Sequence, residues 1–224
     1  METDKKNGIL FIGMLLTLII VIVALVLIFG KSSNKTTTSN SASTNTSCDS
    51  ITYTKPATDP VARLSTTKGC LVLELYQKDA PKTVQNFIKH SQDGYYNNTV
   101  FHRTLKDFVI QGGDPKGDGT GGESIYGTKF EDELNKDTQS YKTGYIKGVL
   151  AMANSGPNTN GSQFFITVGD LSSSLQKNYT IFGKVLAGQD SADAIANAET
   201  VDNGQGEKSK PVTAVSISKI DIIK

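Results

Sequence analysis

Tryptophan is missing from this 224-residue chain, and cysteine and histidine occur only twice each. Cys48 and Cys70 are too few for a disulfide framework or a cysteine-based zinc site. His90 and His102 do not add up to a histidine-rich metal site, so no metal and no cofactor is expected. An excess of either charge is missing too: 23 Lys and Arg face 22 Asp and Glu, a formal net charge of +1. That balance offers no electrostatic reason for a nucleic-acid partner. No internal repeat is visible. Glycine, by contrast, is abundant at 21 residues.

One long apolar run is present. Ile9 to Phe29 carries no charge and is interrupted only by Gly13 and Thr17. About 20 apolar residues span a bilayer core as a helix. A secretory signal has a shorter core, roughly 7–15 residues, followed by a small-residue cleavage site. Phe29-Gly30-Lys31 provides no such site. Ser32 to Thr54 is almost wholly Ser, Thr, Asn and Lys, and without apolar periodicity it has no core to bury. As a coil of about 25 residues it would span roughly 25–30 Å. The expected organisation is therefore a short cytoplasmic leader at 1–8, a single-pass anchor in the lipid bilayer at 9–30, a flexible linker at 31–59 and a folded domain at 60–224. Lys5 and Lys6 nearly balance Lys31 and Lys35 across the anchor. The short leader, the stalk-like tether and the two cysteines place the domain outside the cytoplasm. If Cys48 and Cys70 pair, they enclose roughly 20 residues and need an oxidising compartment; both could also be reduced and unrelated.

Within the domain, Val61–Thr67 and Cys70–Tyr76 read as two strands joined at Lys68-Gly69. Pro81 opens a helix with Val84, Phe87 and Ile88 on one face, and Gly94 ends it. Short β-type runs follow at Val100–Thr104, Phe108–Gln111, Val149–Ala153, Phe164–Val168 and Ile181–Val185. Asp190–Ala198 is a second, alanine-rich helix, and Val212–Ile223 alternates as a last strand. Many short strands with glycine-rich turns and only two helices argue for an all-β sandwich or closed barrel.

Several motifs point to chemistry that the context excludes. Gly117, Gly119 and Gly122 satisfy G-x-G-x-x-G, but pyrophosphate binding needs a helix starting at the glycines, and none is indicated after Gly122. Ser162 lies in Asn160-Gly-Ser-Gln-Phe164, not in a nucleophile-elbow pattern. Glu131-Asp132-Glu133 is explained by an exposed charged turn as well as by acid–base chemistry.

The informative segments are Phe101-His-Arg-Thr-Leu-Lys-Asp-Phe-Val-Ile-Gln-Gly-Gly-Asp114, Gly119 to Glu133, Met152-Ala-Asn-Ser-Gly-Pro-Asn-Thr-Asn-Gly-Ser-Gln-Phe-Phe-Ile166 and Phe182-Gly-Lys-Val185. In this order they closely resemble the cyclophilins, from about Val61 to the C-terminus. The resemblance implies an eight-stranded antiparallel barrel capped by two helices. The implied activity is peptidyl-prolyl cis–trans isomerisation of Xaa-Pro bonds in proline-containing polypeptides, here exported or membrane-proximal ones. It implies catalytic roles for Arg103, Phe108 and Gln111. Arg103 would donate to the prolyl nitrogen of the twisted bond. Val109, Phe165 and Leu175 would join Phe108 in the proline socket, with Tyr179 as an aromatic wall where many members carry His. Gly119, Ala153, Asn154 and Ser155 would line the groove, and Gln163 would sit beside Arg103. Phe164 is expected in the core, and His102 is assigned to structure. Val109 stands where methionine is usual. Ser174 lies near the position where many members carry Trp, which implies weak cyclosporin binding.

Overall fold

A computed structural model describes residues 48–223. The anchor read at 9–30 and the tether up to residue 47 lie outside the described residues. Among the described residues no helix is long and apolar enough to cross a membrane.

The chain opens with a 3-10 turn at Cys48–Ser50 and then forms β1 (Val61–Thr66) and β2 (Gly69–Leu75). Gly69 adopts φ +116°, a turn conformation that costs glycine little. Next come α1 (Pro81–Gln92), β3 (Arg103–Thr104), β4 (Val109–Gly112), α2 (Gln139–Thr143), β5 (Val149–Met152), β6 (Phe164–Thr167) and β7 (Ile181–Ala187). The last elements are α3 (Gln189–Ala196), β8 (Thr200–Asp202), β9 (Lys208–Pro211) and β10 (Ile217–Ile223). Eight strands form one curled antiparallel sheet in the order β10-β1-β2-β7-β5-β6-β4-β3. Its end strands share no ladder. Instead, Val100 bridges to Ser216 and to Asp114, and Phe101 N–H donates to the Val215 carbonyl at 2.9 Å. The ladders alone thus make a half-barrel, and the 99–101 segment spans the gap.

Alternation along the strands divides the residues between two clusters. Ile110, Leu150, Met152, Phe164 and Ile166 point inward with Leu64, Leu71, Leu73 and Phe182. Val109, Val149, Ala151 and Phe165 point outward into a second apolar cluster with Tyr145, Leu171 and Ile181. Phe87 of α1 closes one end of the core, its ring 5.5 Å from Phe164 and 5.4 Å from Phe182. Pro81 starts α1, where a missing N–H costs nothing. Glu133 supplies the cap: its carboxylate accepts from the N–H groups of Lys82 at 3.0 Å and Thr83 at 2.8 Å, an anion on the positive end of the helix. Asp132 accepts from Asn158 N–H and Asn160 Nδ2. The acidic run 131–133 therefore has structural work for at least these two carboxylates.

Two features depart from expectation. α2 is a third helix, only five residues long, capped by Thr138, whose side chain accepts from Tyr141 N–H. Residues 200–211 form the separate β8–β9 hairpin, so the last strand begins at Ile217, not Val212, which is 54% exposed. Cys48 and Cys70 are disulfide-bonded, with Cα atoms 5.5 Å apart, and the bond ties the opening turn to β2. An Arg63–Asp49 ion pair fastens the same turn to β1.

Candidate functional site

The outward face of β3, β4, β6 and β5 carries a row set by register alone. Arg103 pairs with Gln111, Gln111 with Phe165, and Phe165 with Ala151. Directly paired residues point to the same face of a sheet, so cation, amide and aromatic ring stand side by side. Val109 flanks the row two residues before Gln111 on β4, and Ala153 follows directly after β5. Phe108 precedes β4, and the guanidinium carbon of Arg103 lies 5.6 Å from its ring centroid.

The apolar part of this face is held from beneath and from one side. Phe165 meets Tyr179 edge to face, centroids 5.5 Å apart at 85°. Leu175 and Phe108 are half-buried against the same cluster. Tyr145 pins the 171–179 loop: its hydroxyl donates to the Tyr179 carbonyl at 2.8 Å and accepts from Tyr179 N–H at 2.9 Å. Burial pushes the Tyr145 phenol up to about 12, so it remains a neutral donor. No motif had pointed to Tyr145. Ser174 on this loop is exposed.

The polar part depends on the glycine loop. Asp114 is fully buried, and its carboxylate accepts N–H bonds from Lys116 at 2.9 Å, Asp118 at 3.3 Å, Gly119 at 2.7 Å and Gly121 at 3.2 Å. The amides of the G-x-G-x-x-G stretch thus already hold an internal anion, which accounts for that motif without a phosphate. Gly122 has φ +95°, and a Cβ there would press on Ser162 Oγ, so a larger residue is strained at this position. Gln163 Nε2 donates to the carbonyls of Gly119 at 3.0 Å and Gly121 at 2.8 Å. Its Oε1 accepts from Gln111 Nε2 at 3.0 Å. Gln163 thus contacts Gln111, which pairs with Arg103 across β3 and β4. A hollow of about 80 Å³ brings together Gln111, Gly119, Ala153, Asn154, Ser155 and Gln163. The Asn154 carboxamide bonds to the neighbouring loops: Nδ2 donates to the Asn178 carbonyl at 2.9 Å and Oδ1 accepts from Gly156 N–H at 3.3 Å.

Arg103 has a partner that the sequence did not single out. Glu207 accepts from its Nε at 2.7 Å and its Nη2 at 2.8 Å, a two-pronged pair bridging 104 positions. Hydrogen bonding from Arg103 holds the Glu207 carboxyl below the usual carboxylate range. His102 borders the loop beside Gly119, and burial lowers its pKa, which favours the neutral ring. Larger hollows of about 520 and 690 Å³ lie away from the Arg103–Phe165 row. Volume does not identify the site here, because a groove for an extended peptide can be shallow.

Residues 61–222 match the family model described as "Cyclophilin type peptidyl-prolyl cis-trans isomerase/CLD". The Arabidopsis thaliana peptidyl-prolyl cis-trans isomerase CYP18-2 is 47% identical over 164 residues, covering 73% of this chain and 94% of the relative. Human peptidyl-prolyl cis-trans isomerase-like 1 is 49% identical over 160 residues, covering 71% and 90%. A crystal structure of a Cryptosporidium parvum cyclophilin type peptidyl-prolyl cis-trans isomerase superposes with TM-score 0.67 at 40% identity, covering 75% of this chain and 99% of that one. A second structure of that protein, obtained in the presence of the dipeptide Ala-Pro, gives TM-score 0.65 at 41% identity, covering 73% and 99%.

Proposed function

This chain belongs to the cyclophilin-type peptidyl-prolyl cis–trans isomerases, and from that premise we propose that Arg103, Phe108 and Gln111 carry the reaction on Xaa-Pro bonds of exported or membrane-proximal polypeptides. The proline ring sits on Phe108, Val109, Phe165, Leu175 and Tyr179. The flanking peptide backbone runs past Gly119, Ala153, Asn154 and Ser155. Asn154, held by its bonds to Asn178 and Gly156, hydrogen-bonds the peptide backbone.

The barrier to be lowered is lost amide resonance, roughly 18–20 kcal/mol. As the bond twists, the prolyl nitrogen regains a lone pair. An N–H of Arg103 aimed at that nitrogen stabilises the twisted state and neither planar one, which is what acceleration requires. Gln111 keeps one Nε2 hydrogen beyond its bond to Gln163, and that hydrogen orients the rotating carbonyl oxygen. No covalent bond is made or broken. The observation that carries this reading is the row Arg103–Gln111–Phe165, with the guanidinium beside the Phe108 ring.

Arg103→Ala in the full chain is expected to lower kcat/KM on an Ala-Pro peptide by about 10²–10³-fold, the usual loss for one preorganised donor. Circular dichroism should be unchanged. A wild-type rate in that variant would refute the mechanism.

The same reading extends to location. Residues 9–30 anchor the chain with the N-terminus in the cytoplasm and the isomerase outside. Two features support it: the apolar run, and a Cys48–Cys70 bond of a kind that persists in oxidising compartments. Exposed Ser174 and the absence of any tryptophan leave cyclosporin without an indole contact, so its binding is weak.

A further inference from the structure

The β8–β9 hairpin stands outside the curled sheet, yet β9 packs beside β3, the two-residue edge strand that carries Arg103. Its turn is built by its own sequence. Asp202 Oδ1 accepts from the N–H groups of Gly204 at 2.7 Å and Gly206 at 3.3 Å. Asn203 Oδ1 accepts from Gln205 N–H at 2.9 Å and Glu207 N–H at 3.3 Å, while Asn203 N–H donates to the Glu207 carbonyl at 2.9 Å. Gly204 and Gly206 take φ of +89° and +85°, where side chains rarely go. Five backbone and side-chain bonds thus fix a turn whose last residue is Glu207.

The guanidinium needs such a support. An arginine side chain has many rotamers to lose, and Arg103 lies at the sheet edge with its side chain 30% exposed. A donor helps the twisted bond only if it is already aimed at the nitrogen. Glu207 engages Nε and Nη2 as a fork, and Phe108 lies 5.6 Å from the guanidinium carbon. Among the described residues Nη1 has no hydrogen-bond partner, so that prong is left for substrate. We propose that Glu207 is a positioning residue for isomerisation, presented by the β8–β9 turn to hold Arg103 in its working orientation. This rests on the role assigned to Arg103 above. The opposing effect is partial neutralisation of the cation. It is the smaller one, because the pair, with side chains 30% and 37% exposed, is screened by water.

The test uses the full chain in detergent and an Ala-Pro peptide whose exchange is followed by NMR line shapes, which separate kcat from KM. Glu207→Ala is expected to lower kcat about tenfold with KM within twofold, since misplacing a catalytic group erodes rate before binding. Glu207→Gln, which keeps one acceptor, should recover part of that loss. The Arg103 Nε–H resonance should be broader in Glu207→Ala than in the wild type. Val201→Ala, on the same hairpin but 48% exposed, should match the wild type. Arg103→Ala, measured alongside, separates the two readings. If Arg103→Ala is slow but Glu207→Ala is as fast as the wild type or faster, the positioning role is overturned and the Arg103 mechanism stands. If Arg103→Ala keeps wild-type activity, both fall together.

Discussion

Single residues in this domain gain their meaning from what lies one residue away. Phe164 and Phe165 are chemically identical neighbours, yet the first is fully buried in the core and the second faces the outer cluster. The period of two in a strand makes that division, and it is readable without coordinates. His90 shows the opposite case. Its ring lies 4.1 Å from that of Tyr95, and its Nε2 donates to the Glu123 carbonyl at 3.0 Å. Burial, first among the causes, lowers its pKa from 6.5. The unfolded chain therefore binds a proton that the folded one resists. Stability is complete above about 6.5 and declines as pH falls below it toward the folded value. The melting temperature should drop between pH 7.5 and pH 5.5, and His90→Gln should reduce that drop. Because His102 is shifted the same way, part of the drop should remain. An unchanged drop in His90→Gln would show that this ring does not contribute.

Elements are held by contacts that join distant parts of the chain. Glu133 caps α1 from 50 residues away, and Asp114 gathers the amides of the loop that follows it. The Cys48–Cys70 bond closes a loop of 22 positions in front of β2. In the chain-entropy view such a loop is worth about 3 kcal/mol, or roughly 6–12 °C in melting temperature for a domain of this size. Reducing the bond, or replacing both cysteines with serine, should lower the melting temperature by that amount. Activity should not follow, because β7, β5 and β6 separate β2 from β4 in the sheet. Equal melting temperatures with and without the bond would mean that the opening turn is held by other contacts, such as Arg63–Asp49.

For the molecule as a whole, the proposed placement predicts that protease added to intact cells removes the domain and leaves a short membrane-bound stub. Cleavage only after lysis would reverse the topology. How much of this protein was legible before its structure follows from the range of each signal. Hydrophobic alternation and the ordered motifs from Phe101 to Val185 indicated a mostly β domain, the two longer helices and the candidate groove residues, because these depend on neighbours a few positions apart. The short α2 and the β8–β9 hairpin escaped, since five residues carry little periodicity and Lys208–Pro211 buries only Ser209 and Pro211. The partnership of Arg103 with Glu207, the pinning of Tyr179 by Tyr145 and the contact of Gln163 with Gln111 were decided by the tertiary structure alone. Each joins residues between 34 and 104 positions apart. Such pairs meet only once strand register and sheet curvature have set which turns face each other, and no local pattern in the chain records that.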